Sequence, residues 1–268
     1  MLASAPRDLP RQRSVGTDGA DVFCLEKGRG EPVVVLHGLG GLYWGGFHDL
    51  LAQGHRVLAM ELPALTAAWG TRGWSSNQQA QALASVCAEL ELARYNLIAM
   101  SFAARVALLQ ALDAAERVRT LVLVSPWLLL PEGWHLPAHD SRSLARFLYA
   151  HPERRPVPWM RASVEAPGAA LAEIEEFHKP GREPGIEERL QQLTAPTLVL
   201  FGTNDRITMP ELARRYPPLV RDCHTIFVYD AAHEVASDRP EAAALIIGEF
   251  VDRRDAFVVE HRSGLLSP

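Results

Sequence analysis

Hydrophobic positions along the chain fall into two alternating kinds of segment. Short, nearly unbroken apolar runs occur at 31–36, 55–62, 96–100, 118–124, 197–202 and 225–229. Between most of them lie stretches with apolar residues three and four apart, at about 47–53, 77–91, 102–114, 209–216 and 241–253. Runs of the first kind predict strands buried on both faces, and the second spacing predicts amphipathic helices. A hairpin is read at Val15 and 21–26, turning on Thr17, Asp18 and Gly19, with Asn77 and Asp238 as candidate helix caps. This alternation predicts an α/β fold, a mostly parallel central sheet covered by helices on both faces.

The alternation breaks after Ser125 and Pro126. Residues 127–185 hold proline-rich turns and helix-like pieces but no strand-like run, and they read as a helical cap insertion in a core made of 1–126 and 186–268. Trp127, Trp134, Phe147, Tyr149, Trp159 and Met160 give that insertion the aromatic and apolar surface to line a substrate pocket. Tyr43, Trp44 and Met100 flank the same place, as pocket wall or as ordinary packing. Beyond 255, the apolar stretch 256–259 is a docked tail, an edge strand or a contact for a partner subunit.

With 268 residues and 48% hydrophobic content the chain can fill one large core. A net charge of -5 with scattered cations gives nucleic acid no basic footprint. Cys24, Cys87 and Cys223 are an odd, widely spaced set without Cys-x-x-Cys, which reads as reduced thiols and not as a disulfide or zinc framework. The N-terminal segment carries Arg7, Arg11 and Arg13 but no apolar signal core, and no run is long enough to span a bilayer. The expectation is a cytoplasmic protein without a membrane partner, its oligomeric state left open.

Candidate chemistry gathers where strands end. Ser101 sits between an apolar run and a helix-like one, with small Ala99 and Ala103 two residues to either side, as a sharp strand-to-helix turn requires. Such a turn exposes the hydroxyl and sets the Phe102 N–H at a helix start, facing developing negative charge. Read alone, Ser101 is equally an ordinary serine at a junction. His233, in the loop after 225–229, is the candidate base. Asp205, after 197–202, is the candidate carboxylate to orient it, with Asp230 as competitor. The glycine-rich stretch 37–41 offers the Leu39 N–H as a second oxyanion donor, or is simply a structural turn, and His37 braces that loop.

Taken in order, Ser101, Asp205 and His233, with the 37–41 loop after the third strand, resemble the α/β-hydrolase family over roughly 15–252. The resemblance implies an α/β-hydrolase fold and a serine hydrolase needing no metal or organic cofactor. Its substrate would be a small to medium apolar carboxylic ester, a lactone, or a carbon–carbon bond beside a ketone. Acyl transfer on the same three residues, or ligand binding without turnover, are the alternatives. Three local patterns depart from the family: Ala99 and Ala103 replace the elbow glycines, Ala231 and Ala232 precede the histidine, and Glu61-Leu62-Pro63-Ala64 stands for Asp-x-Pro-Gly. Serine at 101 argues against epoxide opening or halide displacement, which use aspartate there.

Two other motifs carry little. Gly38, Gly40 and Gly41 begin a dinucleotide fingerprint whose third glycine would fall at Tyr43, and no phosphate loop follows. His135 and His139, beside Asp140, have a helical metal spacing, but Pro137 lies between them.

Overall fold

The computed structural model describes residues 9–17, 20–38, 41–61, 75–138, 141–156, 185–254 and 257. Its strands are β1 (Arg11–Thr17), β2 (Ala20–Lys27), β3 (Pro32–Leu36), β4 (Arg56–Glu61), β5 (Tyr95–Met100), β6 (Val118–Val124), β7 (Thr197–Gly202) and β8 (Cys223–Val228). They form one sheet in the order β1-β2-β4-β3-β5-β6-β7-β8. β1 pairs with β2, and β2 with β4, antiparallel; every other pairing is parallel. Valine, leucine and isoleucine fill β3 to β7 because helices cover both faces there.

The two-residue period of a strand sorts those side chains into two cores. Val34, Leu36, Leu97, Leu121 and Val199 pack with Leu83 and Val86 of α2 (Ser76–Glu89) and with Ala104 and Leu108 of α3 (Ala103–Asp113). Val33, Val35, Ile98, Val122 and Leu198 pack instead with Phe47 and Leu51 of α1 (Gly46–Leu51) and Ile247 and Phe250 of α7 (Pro240–Arg253). Each such aliphatic side chain contributes about 1.5–3 kcal/mol of transfer free energy. β8 is one edge of the sheet, and its Phe227 is 40% exposed.

Several boundaries differ from the sequence reading. β8 starts at Cys223 and ends at Val228, leaving Tyr229 in a turn. Pro210–Arg215 is a 3-10 helix instead of an α-helix, hemmed by its leading proline and by Pro217 and Pro218. The cap of α2 is Ser75, not Asn77: its hydroxyl accepts from Gln78 N at 3.3 Å while Gln78 Oε1 accepts from Ser75 N at 2.8 Å. Asp238 does not cap α7, whose N-cap is Arg239. It closes the short α6 (Val235–Asp238) and turns its carboxylate into the protein.

From 127 to 156 the described residues form no strand, only α4 (Ser141–Leu148) and a 3-10 turn at Pro152–Arg154. The chain rejoins the sheet through α5 (Ile186–Gln191), a helix the spacing did not announce. The expected turn at Asp18 and Gly19, residues 62–64 of the departing Glu61-Leu62-Pro63-Ala64 pattern, and Met160 lie outside the described residues. Among the described residues no helix is long and apolar enough to cross a membrane.

Candidate active site

β5, β7 and β8 end at the same rim of the sheet, and each is followed by one of the polar residues singled out above. Ser101 directly follows β5. Its N–H donates to Val124 O at 2.8 Å and its φ is 58°, the left-handed region that a non-glycine residue enters at a cost of order 1–3 kcal/mol. Two bonds hold the strain in place, since Ala104 N and Trp127 N both donate to Ser101 O at 3.1 Å. Gly38 explains itself here: a Cβ on it would lie 2.8 Å from the Cβ of Ser101. Ala99 and Ala103, in place of elbow glycines, are fully buried.

Beyond β7, Asp205 is buried and richly bonded. Its Oδ1 accepts from the N–H groups of Ile207 at 2.8 Å and Thr208 at 3.0 Å, and its Oδ2 from the Thr208 hydroxyl at 2.7 Å. The fourth partner is His233, whose Nδ1 lies 3.0 Å from Oδ2. Burial alone pushes the Asp205 carboxyl up, but the charge of His233 and the bonds from His233, Thr208 and Ile207 outweigh it and hold the group below the ordinary carboxylate value. With Nδ1 donating to that carboxylate, Nε2 is the acceptor, and it sits 2.8 Å from Ser101 Oγ. Asp205, His233 and Ser101 therefore form one hydrogen-bonded row, each residue at most 3% exposed. The competing carboxylate, Asp230, turns away and pairs with His151 Nε2 at 2.7 Å.

The loop carrying His233 lies directly on β7. Asn204 N donates to Ala231 O at 2.8 Å, and a Cβ on Gly202 would come within 2.3 Å of both the Ala231 and Ala232 carbonyl oxygens. Thr208, which holds both oxygens of Asp205, is a residue that the sequence reading passed over. Its signal was local, a threonine three residues after the candidate acid, a spacing that lets a side chain close its own turn.

The other expected site residues are distributed as follows. Phe102 is the N-cap of α3, so its backbone sits at the positive end of that helix, beside Ser101. Trp127 is fully buried, its ring 4.9 Å from that of Trp134 and 6.3 Å from that of His233. Trp134 Nε1 donates to Ile207 O at 2.8 Å, which ties the aromatic pair to the turn that holds Asp205. Met100 is buried at the end of β5, the Tyr43 hydroxyl accepts from Ser237 Oγ at 3.0 Å, and the Trp44 indole donates to Asp49 at 3.0 Å. Leu39, Trp159 and His139 lie outside the described residues. His37 is neutral: burial lowers its pKa to about 4, and its Nδ1 bonds Gly38 O at 2.9 Å. A groove of about 940 Å³ runs between α4 and the 203–211 loop, and Phe147, Tyr149, Met209, Asp205 and Ala232 are among its lining residues.

The mostly parallel sheet and its helices match the fold of known proteins. The family model described as "Alpha/beta hydrolase family" matches residues 33–244. The chain belongs to the alpha/beta hydrolase family. Among curated relatives, a 2-hydroxy-6-oxononadienedioate/2-hydroxy-6-oxononatrienedioate hydrolase of Cupriavidus pinatubonensis is 27% identical over 228 residues, 72% of this chain and 78% of the relative. A pimeloyl-[acyl-carrier protein] methyl ester esterase of Nitrosomonas europaea is 27% identical over 213 residues, 70% of this chain and 83% of the relative. In fold, the chain is similar to a serine hydrolase involved in carbazole degradation, with TM-score 0.71 and 19% identity over 91% of this chain and 100% of the other. Naproxen esterase from Bacillus subtilis superposes with TM-score 0.70 at 16% identity, covering 91% and 92%. The protein is thus an enzyme of the hydrolase class.

Proposed function

We propose that Ser101 is the nucleophile of a serine hydrolase, His233 its general base and Asp205 the group that orients and stabilises the imidazolium. The observation that carries this reading is the continuous row Ser101 Oγ, His233 Nε2, His233 Nδ1, Asp205 Oδ2, with links of 2.8 and 3.0 Å. His233 takes the hydroxyl proton as Oγ attacks a carbonyl carbon, then returns that proton to the leaving alkoxide, and an acyl-enzyme forms. Water, deprotonated by His233, then releases the acid and restores Ser101. The N–H groups of Phe102 and Leu39 are the proposed oxyanion donors, each worth on the order of 100-fold or more in rate. No step requires a metal or an organic cofactor.

The proposed substrate is a small to medium apolar carboxylic ester, admitted beneath a cap formed by 127–185. Buried Trp127 and Trp134 beside His233 support an apolar, aromatic surround. Cleavage of a carbon–carbon bond beside a ketone is the second reading, since one relative is named for a hydrolase of an oxo-dienedioate and another for an ester hydrolase. Three free thiols, two of them buried, fit a reducing, cytoplasmic setting. A chromogenic ester panel of graded acyl length, beside a vinylogous 1,5-diketone acid, tests the reading on wild type and Ser101→Ala. Turnover of esters abolished in the variant supports it. Turnover of the diketone alone favours the second reading, and equal rates in wild type and variant overturn both.

A further inference from the structure

Asp238 was expected at a helix end, yet it is fully buried and binds three backbone donors from two distant stretches of chain. Its Oδ2 accepts from Ala232 N at 2.8 Å and from Ala150 N at 2.9 Å, and its Oδ1 accepts from His151 N at 3.0 Å. Ala232 is the residue before His233. Ala150 and His151 belong to the segment that follows α4. The same junction is sewn twice more, by Glu234 N donating to Leu148 O at 2.8 Å and by Arg154 Nη1 donating to the Asp238 carbonyl at 2.6 Å.

We infer that Asp238 is a positioning residue for His233, and that its carboxylate makes the seating of the 149–151 segment and the position of the imidazole a single structural state. The inference rests on the proposed role of His233 as base. A backbone amide has one proton to donate, so the Ala232 bond fixes the Ala231–Ala232 peptide, one residue ahead of His233. Opposite that peptide, the same oxygen holds Ala150. Lifting the segment after α4 strips the carboxylate of two donors, and a buried carboxylate left with one is strongly disfavoured. The 149–151 segment and the base loop therefore move together or not at all, and a geometry of 2.8 Å between His233 Nε2 and Ser101 Oγ exists only with that segment seated.

Asp238→Ala removes all three bonds, whereas Asp238→Asn retains an oxygen for Ala232 and Ala150 and turns an N–H donor on His151. The expected kcat falls about 100-fold in Asp238→Ala, the cost of roughly 1 Å of misplacement, with KM within threefold and Ser101 phosphonylation by a fluorophosphonate slowed to match. Asp238→Asn keeps kcat within fivefold and exposes only the His151 amide. Asp230→Asn, which takes the charge out of the half-buried His151 contact and spares the Asp238 carboxylate, leaves kcat unchanged. In wild type, hydrogen exchange of the Ala150, His151 and Ala232 amides proceeds with one common opening equilibrium. A folded Asp238→Ala with kcat within twofold of wild type overturns the inference, as does a loss of the same size in Asp230→Asn. Should Asp238→Ala not fold, protection of Ala232 uncoupled from that of Ala150 and His151 in wild type overturns it instead. Absence of labelling and turnover in wild type would defeat the role given to Ser101, while the exchange result still decides the shared pinning.

Discussion

Gly202→Ala isolates the placement of His233 from every group that reacts. The added Cβ would stand 2.3 Å from two backbone oxygens, those of Ala231 and Ala232, where an ordinary C···O contact is about 3.3 Å or more. The loop must retreat by roughly 1 Å, and it carries the imidazole directly after the second of those carbonyls. Misplacement on that scale costs about 100-fold in rate, or about 2.7 kcal/mol of transition-state stabilisation. Overpacking costs a further 1–3 kcal/mol of folding stability, which lowers Tm by roughly 2–12 °C in a chain of this size. Ser101 and the α3 N-terminus are untouched, so the loss lies in proton transfer. Steady-state kcat on an activated ester and thermal unfolding by circular dichroism measure the two effects. Gly248, in the interior of α7, is the control: its nearest neighbour to an added Cβ is Leu51 Cδ2 at an ordinary 3.8 Å. Gly248→Ala should stabilise by about 0.5–1 kcal/mol and leave kcat unaltered. Gly202→Ala with kcat within twofold of wild type refutes the steric argument.

Three more outcomes follow from buried polar groups and caps. Thr208→Val deletes the hydroxyl that donates to Asp205 at 2.7 Å while keeping the shape, so urea unfolding at pH 7 should show a loss of about 1.5–3 kcal/mol, whereas Thr208→Ser should recover most of it. Among the described residues neither carboxylate oxygen of buried Glu61 has a hydrogen-bond partner, and burial pushes its pKa to about 7. Because that folded-state value is raised, its protonated form favours folding below the unfolded value near 4.5, and that contribution is lost as pH rises through about 7. Glu61→Gln should therefore be more stable than wild type at pH 8, on the order of 2 kcal/mol, with the advantage vanishing near pH 4.5 in denaturant titrations. Ser75→Ala removes the α2 cap and should cost about 1 kcal/mol, where Asn77→Ala costs nothing comparable.

The strands were legible because burial on both faces writes itself as uninterrupted valine, leucine and isoleucine. Each of β3 to β7 lies where such a run lies. The row Ser101, Asp205, His233 was legible for a related reason: each residue follows the end of a strand, and parallel strands bring those ends to one rim. Legibility failed where the partner is remote in sequence. Asp238 stands two residues before Pro240 and looks like a cap, but its donors Ala150 and His151 are 88 and 87 residues away and leave no mark nearby. Choosing between Asp205 and Asp230 likewise required His151, which occupies the second carboxylate. Ser75 was a different kind of miss. Its Ser-x-x-Gln box with Gln78 was present in the sequence, one of several polar residues in a row, and only the paired bonds single it out.

The central claim is that Ser101 is activated by His233. It is tested most directly by intact-mass and peptide mass spectrometry after exposure to a fluorophosphonate. One adduct per chain, mapped to Ser101, lost in Ser101→Ala and slowed by several orders of magnitude in His233→Ala, is the predicted result. An adduct on another residue, or labelling indifferent to His233, would contradict it.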